Sequence, residues 1–173
     1  MLIISGTNRR GSNSYKIAKT YDSILQKIDI EAEILDLCEL PRDFAFSALY
    51  ENSGKSEAFS IFQNKVDQHD KIIFIISEYN GSFPGVLKTF VDGLRYPSSL
   101  KNKKSALVGL SSGSMGSALA ISHFTDILNY LGAIVLPFKP RLVSIHDNLN
   151  TQNQLSKNYK TVLTEQAVQF VEF

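Results

Sequence analysis

Five consecutive apolar residues, Ile72-Ile73-Phe74-Ile75-Ile76, lead through Ser77 into the polar, turn-forming segment Glu78-Tyr79-Asn80-Gly81-Ser82-Phe83-Pro84-Gly85. The run is short, largely β-branched and free of polar alternation, which predicts a strand covered on both faces and therefore a parallel sheet between layers of helices. After the polar segment, Val86, Leu87, Phe90, Val91 and Leu94 recur on one side of a helix, with Pro84 expected in its first turn, where no backbone donor is needed. Strand, loop and helix form half of a βαβ unit. In open parallel sheets ligands bind outside the carboxyl ends of the strands, where this loop lies.

The chain opens with a second segment of the same kind. Leu2, Ile3 and Ile4 predict a buried strand, and Ser5-Gly6-Thr7-Asn8-Arg9-Arg10-Gly11-Ser12-Asn13-Ser14 leads into a helix with the apolar face Ile17, Ala18, Tyr21, Ile24, Leu25 and Ile28. A helix N-terminus presents unpaired N–H groups and partial positive charge. Hydroxyls and guanidinium added there make a seat for a phosphate. The same loop also admits a plainer reading, in which Ser12 or Ser14 only caps the helix.

Further βα units follow. Ala32, Ile34, Leu35 and Leu37 suggest a second strand, Ser56 to Asp67 a helix carrying Phe59, Phe62 and Val66, and Ser105 to Leu110 a fourth strand. Leu119, Phe124, Ile127, Leu128 and Leu131 read as the inner face of the next helix, closed by Gly132. The fifth strand is either Ile134–Leu136 or Leu142–Val143 beyond two prolines, and Leu155, Tyr159, Val162, Leu163 and Val171 mark a terminal helix. Alternating strands and helices predict one α/β domain over residues 1–173, a doubly wound five-stranded parallel sheet of order 2-1-3-4-5 with helices on both faces.

Composition narrows the function. Its 173 residues, 43% hydrophobic, suffice for a substantial core, and a net charge of +1 gives no reason to expect nucleic acid or an anionic membrane surface as partner. No run approaches the roughly 20 apolar residues of a membrane helix, and no leader pattern opens the chain, so a cytoplasmic location is expected. Cys38, the single cysteine, excludes an internal disulfide and reads as an inert strand-end residue. His69, His123 and His146 show no paired helical spacing, so no metal is expected. Lys101, Lys103 and Lys104 read as a solvated turn.

The first loop together with Glu78-Tyr79-Asn80-Gly81-Ser82-Phe83-Pro84-Gly85-Val86-Leu87-Lys88 resembles the NADPH-dependent FMN reductase family, and Ser111-Ser112-Gly113-Ser114-Met115-Gly116 resembles that family's third, glycine-rich loop. The likeness runs from the start of the chain to about Leu131. It implies a flavodoxin-like fold, FMN as cofactor and NADPH or NADH as co-substrate. By the resemblance the phosphate seat is Thr7, Asn8, Arg9, Ser12, Asn13 and Ser14, the ring lies along Ser77, Glu78, Tyr79, Asn80 and Gly81, and Ser112, Gly113 and Gly116 approach from the neighbouring strand. Two departures stand out: Ser77 where relatives have proline, which restores a backbone donor and a freer φ, and Ser114 where relatives often carry arginine, which leaves NADPH versus NADH open.

In the predicted strand order these three loops converge on one crevice, between strands 1 and 3. The function expected is hydride transfer from NAD(P)H to FMN and reduction of a small-molecule acceptor: a quinone, free flavin, azo compound or metal oxyanion. The flavin carries the chemistry, so no catalytic side chain is required. Glu78 is expected to hydrogen-bond at the flavin edge and Tyr79 to stack on the ring. The resemblance also implies a homodimer or homotetramer. A flavodoxin-like electron carrier and a non-catalytic FMN-binding protein are the alternatives; the near-neutral charge disfavours the carrier.

Overall fold

In the computed structural model, which describes residues 1–96 and 99–173, the strands β1 (Leu2–Ser5), β2 (Glu33–Asp36), β3 (Lys71–Ser77), β4 (Lys104–Leu110) and β5 (Ile134–Val135) pair in parallel in the order β2-β1-β3-β4-β5. A sixth short strand, β6 (Arg141–Leu142), also pairs with β4. The reason for the uninterrupted apolar run is visible in β3. Ile72, Phe74 and Ile76 pack into one core, and Ile73 and Ile75 into the other. Helices α1 (Asn13–Gln26) and α7 (Lys157–Glu172) cover the second core; α2 (Phe44–Ser47), α3 (Glu57–Asp67), α4 (Gly85–Gly93) and α5 (Ala118–Tyr130) cover the first. This order is that of flavodoxin-like sheets, with the switch point between β1 and β3.

Both sequence alternatives for the fifth strand exist. Ile134 and Val135 pair with Lys104 and Ser105, whereas Arg141 and Leu142 pair with Gly109 and Leu110. Pro137 and Pro140 lie between them and lack the N–H that a continuous ladder needs. The gap beside Leu107 is filled by a side chain: fully buried Gln166 of α7 donates from Nε2 to the carbonyls of Leu107 and Phe138, each at 2.9 Å.

Other boundaries differ from the sequence expectations in instructive ways. Pro84 is the N-cap of α4, one residue ahead of its first turn. Leu37 begins a 3-10 turn (Leu37–Glu39) capped by Asp36, which accepts from Cys38 N at 3.3 Å, so Cys38 lies beyond the strand. Ile28 falls after α1 and Leu155 before α7, though both pack on the core. Leu119 is 52% exposed, not on the inner face of α5. Ala120, Ile121, Phe124 and Leu128 fill that face, and at 3.6 residues per turn Leu119 falls on the opposite side of the helix.

The lysine turn is only partly solvated. Lys103 is buried and donates to the carbonyls of Asp67 and His69, and Lys104 donates to the carbonyl of Phe173. Lys71 donates to the carbonyls of Phe170 and Val171 at 3.0 and 2.7 Å. Two cations thus satisfy the free carbonyls at the end of α7, where the helix dipole favours positive charge. No helix among the described residues is long and apolar enough to cross a membrane.

Candidate functional site

At the carboxyl ends of β1, β3 and β4 lies a cleft of about 260 Å3 lined by Arg9, Gly11, Ser12, Asn13, Lys16, Ser77, Glu78, Tyr79, Leu110, Ser111, Ser112, Ile145 and His146. Its first wall is the loop into α1. Ser12 caps this helix, accepting from Tyr15 N at 3.2 Å, so the capping reading holds. Capping consumes only an acceptor function of the hydroxyl. Its proton remains free to donate, beside the Arg9 and Lys16 cations and the N-terminus of a fourteen-residue helix.

The second wall turns sharply. Tyr79 N donates to Ser82 O at 2.8 Å and Ser82 N to Tyr79 O at 3.1 Å, closing a two-residue hairpin whose tip, Asn80 and Gly81, has φ of 51° and 75°. Positive φ at both central positions is the signature of a type I′ turn, for which Asn-Gly is the favoured pair. Asn80 and Gly81 therefore shape the rim and do not line the cleft. Tyr79 bends back across the first loop, its hydroxyl 2.8 Å from Thr7 Oγ1, while Ser77 Oγ lies 2.6 Å from Ser14 Oγ. Thr7 and Ser14 are both buried, so the structure places them as struts between the two walls. Ser77 carries a hydroxyl into that strut where a proline has none. Glu78 is anchored by its N–H to Leu110 O at 3.1 Å, yet its Oε2 is buried with no hydrogen-bond partner among the described residues.

The third wall is locked internally. Ser111 Oγ donates to Gly113 O at 2.9 Å and accepts from Gly116 N at 3.0 Å. Gly113 O and Ser111 O in turn accept from Ser144 N and Ile145 N, which brings α6 (Ile145–Asn148) and its His146 to the cleft. Ser112 lines the cleft, but Gly113 and Gly116 do not. Gly116, at φ +58°, lies where a Cβ would come within 2.8 Å of Arg141 Cβ, so its role is close packing on β6. Ser117 and Ser144 also take left-handed conformations, at φ 66° and 45°. Such strain in non-glycine residues, roughly 1 kcal/mol or more each, concentrates around ligand sites.

Of the residues singled out from sequence, Arg9, Ser12, Asn13, Ser77, Glu78, Tyr79 and Ser112 line this cleft, and Thr7 and Ser14 brace it. Asn8 faces a different pocket, described below. Sequence reasoning missed Lys16, although it follows Ser12 by four residues and so shares its helix face. It also missed His146, which carries no local signal and arrives through the pairing of β6 with β4 and the bonds of Ser144 N and Ile145 N to the third loop.

A flavodoxin-like sheet with Arg9, Lys16 and the α1 N-terminus at the β1–α1 loop, and two polar loops beside them, has the architecture of a mononucleotide-binding α/β protein. The profile of the NADPH-dependent FMN reductase family matches residues 1–144, and the chain belongs to that family. It is thus an oxidoreductase with FMN as cofactor and NADPH as electron donor. Among curated relatives, a 2-hydroxy-1,4-benzoquinone reductase from a Burkholderia species is 31% identical over 148 residues, 84% of this chain and 78% of the relative. An FMN-dependent NADPH-azoreductase of Staphylococcus aureus is 30% identical over 165 residues, 91% and 82% of the two chains. The flavoenzyme NAD(P)H:(acceptor) oxidoreductase FerB of Paracoccus denitrificans has the same fold, with a TM-score of 0.77 at 22% identity, covering 99% of this chain and 95% of FerB.

Proposed function

We propose that this chain seats FMN in the cleft between the β1–α1, β3–α4 and β4–α5 loops and reduces small planar acceptors of the quinone and azo classes at the expense of NADPH. The observation that carries the reading is one cleft with cations and a helix N-terminus at one end and an unpartnered, buried carboxylate oxygen, Glu78 Oε2, among the lining groups. Arg9, Lys16, Ser12 and the α1 N-terminus hold the phosphate; Glu78 accepts from a hydroxyl or N–H of the ligand, which removes the cost of its unmade hydrogen bond. FMN held there by these residues would supply the redox chemistry, a two-electron transfer from the nicotinamide to the acceptor. Tyr79 and the rigid Asn80–Gly81 turn border the rim where donor and acceptor arrive in turn. The quinone and azo classes are those named for the two relatives.

The same reading takes residues 1–173 as a single flavodoxin-like domain, located in the cytoplasm and assembled as a homodimer or homotetramer. Exposed Tyr96 and Tyr130 beside Val91 and Leu94, on the α4–α5 side, support assembly through that face. Light scattering that returns a monomer at micromolar concentration rejects the oligomer.

The cofactor reading is tested by the absorption spectrum. Protein purified, or reconstituted with FMN, is expected to show the bands of bound oxidised flavin and to bleach with anaerobic NADPH; a colourless protein that does not retain added FMN sinks the proposal. A second experiment asks whether any side chain is chemically required. At saturating FMN, Glu78→Gln and Tyr79→Phe are each expected to keep the reductive half-reaction within about tenfold of the parent, roughly 1.4 kcal/mol in barrier height. Stopped-flow bleaching that slows a thousandfold in Glu78→Gln with full FMN occupancy makes the carboxylate a participant in the chemistry.

A further inference from the structure

Next to the cleft, on its β2 side, is a second pocket of about 260 Å3 that the FMN reading does not use. Two arginines from different loops, Arg10 and Arg42, line it together with Asn8, and its apolar lining includes Pro41, Phe44 and Val86. Neither arginine has an ion-pair partner among the described residues. A broader groove shares Arg10 and Arg42 with this pocket, and Gly11 belongs both to that groove and to the cleft described above. Two carboxylates, Asp36 and Glu39, lie in the outer groove, but neither lines the inner pocket. Asp36 is already engaged in capping Cys38 N.

Arg42 is held on a pinned turn. Phe44 N donates to Pro41 O at 3.1 Å, Leu40 and Phe44 are both buried, and the Phe44 ring stacks on Phe59 at 6.0 Å. Arg10 lies on the loop fixed by Thr7 on one side and the Ser12 cap on the other. Paired guanidinium forks beside an apolar, partly aromatic wall match a phosphate attached to a flat heterocycle: the planar fork is suited to phosphate oxygens, and the wall to a base.

Resting on the reading of the neighbouring cleft as the flavin site, we propose that this pocket takes the adenosine 2′-phosphate end of NADPH, with Arg10 and Arg42 gripping the 2′-phosphate and the Pro41–Phe44–Val86 wall covering the adenine. An arginine near the carboxyl end of the second strand is a known solution for the 2′-phosphate in other dinucleotide folds. Here β2 and β3 flank β1, so their ends are two strand spacings apart, about 10 Å, a separation that the two halves of a dinucleotide bridge. The pocket selects between donors that deliver the same hydride, and so sets NADPH over NADH.

The test is a calorimetric titration of FMN-saturated protein with adenosine 2′,5′-bisphosphate, adenosine 5′-monophosphate and inorganic phosphate. The bisphosphate is expected to bind at least tenfold more tightly than the monophosphate. Arg10→Ala and Arg42→Ala, both at exposed positions, are each expected to remove at least fivefold of that preference, and the double variant to lower the ratio of kcat/KM for NADPH to that for NADH at least tenfold, through KM. Equal binding of the two nucleotides, inorganic phosphate binding as tightly as the bisphosphate, or a preference lost in Arg9→Ala but kept in both other variants overturns the proposal. Failure of the flavin reading is separately visible, since the protein then stays colourless with FMN while the nucleotide titration still reports on this pocket.

Discussion

Replacing Arg9 and Lys16 together by alanine is expected to weaken FMN binding a hundredfold or more, while riboflavin affinity changes less than about threefold. Each cation facing a phosphate contributes on the order of 1.5 to 3 kcal/mol. Losing both removes about 3 kcal/mol or more, and 1.4 kcal/mol is a factor of ten. Arg9 is exposed and Lys16 half-buried, so mobile ions screen part of this attraction. The gap between parent and variant should therefore narrow as salt rises from 50 to 500 mM. Quenching of flavin fluorescence on titration measures both ligands. Equal losses for FMN and riboflavin place the effect in the fold of the loop; an unaltered FMN affinity places the phosphate elsewhere.

Gln166→Leu is expected to lower the melting temperature by roughly 6 to 12 °C, although Gln166 touches no part of the cleft. Its side chain accepts from the Tyr21 hydroxyl at 3.2 Å and donates to Leu107 O and Phe138 O. Burial pushes the Tyr21 phenol far above its ordinary range, so it stays neutral and needs an acceptor. Leucine preserves the volume but strands three polar groups. At about 1 kcal/mol or more for each, the loss is about 3 kcal/mol, and a chain of this length loses roughly 2 to 4 °C per kcal/mol. Gln169→Leu, one turn away and exposed, is the comparison, expected to stay within about 0.5 kcal/mol. A melting temperature for Gln166→Leu within 2 °C of the parent shows that the carbonyls find other partners.

The strands were legible because their signals are local, and the order of the sheet followed from their alternation with helices under the right-handed crossover rule. A strand buried on both faces has no alternation to hide, as Ile72–Ile76 illustrates, and hydroxyl-rich loops announce helix starts. Errors arose where distant contacts decide. Leu119 reads as a core residue, but the stripe of α5 that packs on the sheet runs through Ala120, Ile121, Phe124 and Leu128 and leaves it exposed. Lys103 and Lys104 read as solvated, but the carbonyls of Asp67 and His69, and that of Phe173, claim them. The two candidates for the fifth strand were each half right, since prolines split one edge into β5 and β6.

By itself the sequence determined the alternation of strand and helix and the placing of polar loops at the carboxyl ends of β1, β3 and β4, because periodicity and caps act over a few residues. Only the tertiary structure decided which of those loop residues face the cleft and which brace it. Thr7 is joined to Tyr79, and Ser14 to Ser77, across more than sixty positions of chain. His146 reaches the site through β6, and Arg10 and Arg42 meet across a single pocket. These partnerships depend on how parallel strands stack side by side, and no local pattern records which side chains that stacking brings together.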